Sequence, residues 1–324
     1  MIITVRSDSG AGVRGSDLGI TALLDLATKS GLADRLTIRD CTVAFAAGFS
    51  SEHAKHIEQV LHICASVCAE VCDSLKSGHI PIVISGDHSS AIGTIAGIKK
   101  AKPASRLGII WLDAHADLHT PYTSETGNMH GMTLAAALAL DNTACQLRVP
   151  DKTTLDFWER LKRLGGMSAK VKPADIVYVT LRDLEAPEAY LIAKHGIRNF
   201  TTQELRDLKV KALGALILEH LKDCTAIYLS FDTDSLEGAL SKGTGLPVDN
   251  GILPEEAEEL IGIILNDPKI SCFEITELNP GLDINHATTN MVYRLLEIAL
   301  AIFPSRPETS ESFHHEDTKN TKIP

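Results

Sequence analysis

The chain has 324 residues, 44% hydrophobic and 23% charged, a globular mix long enough for one large α/β unit and incompatible with wholesale disorder. Thirty-one Lys and Arg against 42 Asp and Glu leave a net charge of −11, which argues against nucleic-acid or anionic-membrane partners. The longest apolar stretch, Leu295–Phe303, is interrupted by Glu297 and is far below the roughly 18 residues of a membrane span. Met1–Gly10 has no apolar signal core, so the sequence predicts a cytoplasmic protein.

Short runs rich in Val and Ile recur in chain order at Ile2–Val5, Thr42–Phe45, Ile80–Ser85, Leu107–Leu112, Asp175–Thr180, Gly196–Phe200, Ala226–Phe231 and Cys272–Leu278. Most are too continuously apolar to be half-exposed antiparallel strands and read as parallel strands buried on both faces. Helical periodicity separates most of them, at Ser16–Lys29, 52–76, Ser89–Lys100, Met132–Leu140, Thr153–Leu164, Lys209–Leu221, Pro254–Leu265 and Ala287–Ile302. Eight strands alternating with helices predict a doubly wound parallel sheet. In 52–76, Cys64, Cys68 and Cys72 fall every fourth residue and predict a buried thiol stripe, with no fourth ligand at zinc-site spacing. Residues 1–303 read as one catalytic unit, and the polar, proline-containing 304–324 as a disordered tail.

In open α/β sheets the active residues lie just past the carboxyl ends of the strands. Three strand ends here carry ligand-type side chains. The turn Ser85-Gly86-Asp87-His88-Ser89 brings His88 to the top of the sheet, although Asp87-His88 alone could simply cap the next helix. In Asp113-Ala114-His115-Ala116-Asp117 the ligand types alternate with alanine, so an extended chain puts all three on one side. Asp232-Thr233-Asp234 repeats that spacing. Four Asp and two His without a thiolate suit hard-to-borderline divalent ions, and four carboxylates match the charge of two of them. Two neighbouring ions can activate a shared water near neutral pH.

Gly86-Asp87-His88-Ser89, Asp113–Asp117, Ser230-Phe231-Asp232-Thr233-Asp234 and Glu274-Ile275-Thr276-Glu277-Leu278-Asn279-Pro280 together resemble the ureohydrolase (arginase/agmatinase) family, in its order and at its spacing, from about Gly10 to Phe303. The resemblance implies a three-layer α/β/α fold with an eight-stranded, mostly parallel sheet, two Mn²⁺ per subunit, a small guanidino substrate and a homo-oligomer, trimer or hexamer. It implies that His88 and Asp117 are terminal ligands of one manganese and His115 and Asp234 of the other, with Asp113 and Asp232 bridging. Asp117 would also orient the attacking water, and Glu277 would pair with the guanidinium, whose planar fork favours a carboxylate.

The segment Asp117–Gly131 resembles arginases more than agmatinases. There His130 matches the proton shuttle, and its ordinary pKa suits that role near neutral pH. Ser124, Thr126 and Asn128 match the loop that reads the substrate's α-carboxylate and α-amino group. Four departures face the substrate. His119 stands where arginases usually carry Asn, Glu185 where they carry Asp, Leu246 where they carry Thr, and Glu237-Gly238 where they carry Asp-Pro. His119 is expected to donate toward the α-carboxylate and Glu185 to reach the α-ammonium. The expected reaction is hydrolysis of L-arginine to L-ornithine and urea. The rival readings are a sister enzyme acting on agmatine, guanidinobutyrate or formiminoglutamate, a catalytically silent metal-binding member, and a zinc amide hydrolase of deacetylase architecture.

Overall fold

The computed structural model describes residues 1–33, 36–43 and 48–303. The eight strands are β1 (Ile2–Val5), β2 (Ile38–Asp40), β3 (Ile82–Ser85), β4 (Leu107–Leu112), β5 (Ile176–Val179), β6 (Arg198–Phe200), β7 (Ala226–Asp232) and β8 (Ile270–Thr276). They form one sheet in the order β2-β1-β3-β8-β7-β4-β5-β6, with every pairing parallel. Among the described residues ten α-helices accompany them: α1 (Gly19–Lys29), α2 (Ile57–Lys76), α3 (Ala91–Ala101), α4 (Thr133–Leu138), α5 (Lys152–Lys162), α6 (Ala186–His195), α7 (Thr202–Leu208), α8 (Val210–His220), α9 (Pro254–Leu265) and α10 (Ala287–Ile302).

The strand period of two splits the core into layers. Ile2, Ile82, Ile84, Ile110 and Phe231 pack on one face against Leu23 of α1, Leu213 of α8, Leu260 of α9 and Leu296 of α10. Their alternates Ile3, Val83, Ile109, Trp111 and Tyr228 pack on the other face against Val67 of α2, Ile95 of α3, Leu134 of α4 and Leu191 of α6. Burial on both faces is why the sequence runs are continuously apolar. Cys64, Cys68 and Cys72 are buried along α2 and all seven cysteines are free thiols.

The second expected strand is displaced. Thr42 and Val43 are not in a strand and Ala44 and Phe45 lie outside the described residues. The edge strand is Ile38–Asp40, paired only with β1 and exposed throughout, so it carries no apolar signal. Helices α6 and α7 fall outside the expected set, yet each opens on a capping box, Glu185 with Glu188 and Thr201 with Glu204. The tail 304–324 lies outside the described residues. Among the described residues no helix is long and apolar enough to cross a membrane.

The four central strands of the sheet are β3, β8, β7 and β4. Their carboxyl ends are neighbours, at the edge where α/β sheets bind ligands.

Candidate metal centre and substrate cavity

A cavity of about 490 Å³ opens above those four strand ends. Every candidate site residue lines it: His88, Asp113, His115, Asp117, His119, Ser124, Thr126, Asn128, His130, Glu185, Asp232, Asp234 and Glu277. Its walls hold five aspartates and three glutamates, and no lysine or arginine among the described residues.

His88 follows β3, and Asp87 and His88 divide the two readings of that turn between them. The Asp87 side chain caps the helical turn His88–Ser90 by accepting from the Ser89 N–H at 2.8 Å. The His88 ring points the other way. Its Nδ1 lies 3.1 Å from Asp113 Oδ2, 3.2 Å from Asp117 Oδ2 and 3.1 Å from Asp232 Oδ2. Ser230 Oγ sits 2.7 Å from Nε2, and Trp111 stacks on the ring at 4.0 Å and 3°. Those two contacts fix which nitrogen faces the carboxylates.

Asp113, His115 and Asp117 converge, but not as an extended strand end. The chain bends at Ala114 and His115, and Asp117 adopts a left-handed φ of 52°. Simple alternation is therefore not the cause. The bend is held by the Asp113 carboxylate accepting from the His115 N–H (2.7 Å) and by Asp234 accepting from the Ala114 N–H (3.1 Å). Asp232 ends β7 and accepts from the Asp234 N–H at 2.9 Å. His115 Nδ1 lies 2.9 Å from Asp234 Oδ2 and 3.6 Å from Asp113 Oδ1.

The result is two ligand groups, His88–Asp113–Asp232 and Asp113–His115–Asp234, that share Asp113. Asp117 joins through His88, and Asp232 belongs to the first group only. Three converging atoms, His88 Nδ1, Asp113 Oδ2 and Asp117 Oδ2, are buried without a hydrogen-bond partner. Buried polar atoms left so are costly unless something outside the chain satisfies them. Nitrogen and carboxylate oxygen donors with unshared lone pairs fit divalent cations.

The protonation pattern agrees. Burial pulls the His88 imidazole toward neutrality, but Asp113, Asp117 and Asp232 outweigh it and hold its pKa well above the ordinary value. His115 is raised in the same way, against burial, by Asp234 and Asp113. Burial and the charge of Asp113 push Asp117 up to about 7. Burial, then Asp234 and Asp113, raise Asp232 well above the carboxylate range. Asp113 alone is held low, because contacts with His115 and His88 overcome its burial. Without a dication, ionising these carboxylates together is costly.

Glu277 follows β8, also with a left-handed φ, 61°. Its Oε1 accepts from the His88 N–H at 3.0 Å and lies 3.0 Å from His130 Nδ1. The ordinary pKa expected for His130 is not what the structure gives. Burial lowers it, but Glu277 prevails and raises it to about 9. At the other end, His119 Nε2 is 3.4 Å from Glu185 Oε2 and 3.5 Å from Glu188 Oε2. His119 and Glu185, expected to take separate substrate groups, lie within reach of one another, and Glu185 is also the N-cap of α6. In the Ser124–Asn128 loop, Ser124 Oγ accepts from the Gly127 N–H and Thr126 Oγ1 from the Asn128 N–H.

Several contributors escaped the sequence. Ser230 and Trp111 orient His88, Asp183 Oδ2 lies 3.6 Å from His115 Nε2, and Glu188 lines the cavity. Only Glu188 had a usable signal, as the third residue of a capping box.

A sequence model described as "Arginase family" matches residues 1–301. The chain belongs to the arginase family. An arginase of Brevibacillus brevis is 32% identical over 305 residues, covering 91% of this chain and 95% of that protein. The crystal structure of arginase from Bacillus caldovelox superposes with a TM-score of 0.79 at 30% identity, covering 92% of this chain and 96% of that one. Entamoeba histolytica arginase in complex with L-ornithine superposes with a TM-score of 0.80 at 28% identity, covering 93% and 98%. Family membership places the expected three-layer α/β/α architecture and the two acidic ligand groups in a hydrolase family acting on guanidino compounds.

Proposed function

We propose that this chain hydrolyses L-arginine to L-ornithine and urea with two manganese ions held by His88, Asp113, His115, Asp117, Asp232 and Asp234. The observation that carries the reading is the pair of ligand groups sharing Asp113, with Glu277 beside them at the inner end of the cavity. Bound there, divalent cations would supply Lewis acidity and a water acidic enough to attack near neutral pH. The chain's own residues do the rest. Glu277, anchored by the His88 N–H and by His130, receives the guanidinium. Asp117 accepts a proton from the attacking water. As the bond from the guanidinium carbon to the substrate's δ-nitrogen breaks, His130 delivers a proton to the departing amine. The L-ornithine in the Entamoeba structure is the amine that this cleavage would release.

The cavity has two acidic poles, Glu277 at the inner end and Glu185 with Glu188 near His119. A ligand with a cation at each end fits them. Agmatine has that form as well as arginine, which keeps the sister-enzyme reading as the rival. Urea release from manganese-loaded protein decides between them. We expect kcat/KM for arginine to exceed that for agmatine by roughly 10²–10³, below the ~10⁴ of a dry polar site because water can substitute in a solvated loop. Agmatine equal to or better than arginine overturns the arginase reading. The proposal extends to residues 1–303 acting as one catalytic unit in a cytoplasmic trimer or hexamer.

A further inference from the structure

We propose that Lys55 is a specificity-determining residue that selects substrates bearing a carboxylate. The inference rests on the arginine reading and says how this cavity would tell arginine from agmatine. The two acidic poles attract both compounds and repel the carboxylate that only arginine carries. No lysine or arginine among the described residues lines the cavity to offset that repulsion, and the imidazoles of His88, His115 and His130 there are already paired with carboxylates. A cation without a carboxylate partner stands at the mouth.

Lys55 supplies it. Its Nζ donates to Asn128 Oδ1 at 3.2 Å, and Asn128 lines the cavity. Lys55 is exposed and forms no ion pair among the described residues. Arg14, next to cavity-lining Val13, is already paired with Asp8.

The position is built rather than incidental. The Lys55 N–H donates to the Gly127 carbonyl at 2.7 Å, so the segment before α2 is tied to the Ser124–Asn128 loop through the backbone. Gly127 has a φ of +72°, and a Cβ there would lie 2.0 Å from the Glu52 carbonyl oxygen, so the two segments meet closer than any side chain allows. The contact also orients the Asn128 amide. With the ammonium at Oδ1, the NH₂ end turns to Gly12, where an added Cβ would lie 2.6 Å from Nδ2. Gly12 lines the cavity too. Lys55 therefore does two things. It places a positive charge at the mouth, and it makes Asn128 present donors to an incoming carboxylate.

The test is the ratio of kcat/KM for arginine to that for agmatine, in wild type, Lys55→Met and Lys55→Arg, each manganese-loaded. An exposed charge pair is worth up to a factor of about five, and the amide it orients adds to that, so Lys55→Met is expected to lower the ratio about tenfold, through KM for arginine. Lys55→Arg is expected to restore most of it, with metal content unchanged in both. In wild type the ratio should fall as ionic strength rises from about 0.02 to about 0.3 M, because an exposed charge is screened over that range. This readout needs no variant to fold. A ratio unmoved by Lys55→Met and by salt, with arginine still turned over, overturns the Lys55 assignment alone. Absence of urea release from arginine by wild type overturns the arginine reading and this inference together.

Discussion

The inner and outer ends of the cavity both bring histidine together with carboxylates and behave differently. At the inner end, His88, Asp113, Asp117, Asp232 and Asp234 are buried on strand ends, and three of their atoms have no partner in the chain. At the outer end, His119, Glu185, Ser124 and Thr126 have satisfied one another or the nearby backbone. An unsatisfied buried cluster depends on something from outside and has few alternatives. A self-satisfied rim can exchange its partners for a ligand or for water at small cost. Removing a group should therefore be ruinous inside and graded outside.

The largest effect is expected at Asp113. Asp113→Asn removes one charge and one carboxylate oxygen from the residue shared by both ligand groups, so turnover should fall by about 10³-fold or more and metal occupancy should drop. Asp232→Asn should act in the same direction. Elemental analysis beside urea release checks this, and two tightly held ions with normal activity in both variants would sink the ligand assignment. Next is His130→Asn, expected to reduce kcat by about 10²-fold while the metal stays. If that change strips the metal, His130 is a ligand and not a proton donor.

The pH dependence of stability sharpens the contrast. Asp117 is raised to about 7, so between about pH 4 and 7 the folded metal-free chain binds a proton that the unfolded chain gives up. Its contribution is present at low pH and lost as pH rises. Asp232, and His88 and His115 at higher pH, act with the same sign, and Asp113 alone opposes them. Bound at this cluster, divalent cations would replace those protons. The gain in Tm on adding manganese should thus be larger at about pH 8 than at about pH 6, which paired thermal scans measure. A gain that shrinks with pH would contradict the cluster's protonation pattern. The smallest effect is expected at the rim, where His119→Ala should change the arginine-to-agmatine ratio by about fivefold or less, with metal content untouched.

The sheet was legible because strands buried on both faces leave apolar runs that need no partner to be recognised. The inner site was legible for a related reason. Its proposed ligands lie within a few residues of those runs, and their types are costly to bury without a counter-charge. The edge strand Ile38–Asp40 left no such trace, since exposure lets Arg39 and Asp40 occupy it. The rim was legible only as a set of residues. Its pairings, His119 with Glu185 and Glu188, and Lys55 with Asn128, join segments distant in sequence, and no local spacing encodes them. The raised pKa of His130 was hidden likewise, because it comes from Glu277, 147 positions away.

The stacking of Trp111 on His88 gives the protein a built-in optical gauge. The chain has only two tryptophans, and Trp158 sits in a separate cluster with its indole N–H on Asp141. In a Trp158→Phe variant all indole emission would come from a ring lying 4.0 Å from the imidazole of the proposed ligand His88. Exchange of a proton for a paramagnetic ion on that imidazole would register directly as a change in brightness. Filling of the first ligand group could then be followed in real time, by titration or stopped flow, without any substrate present.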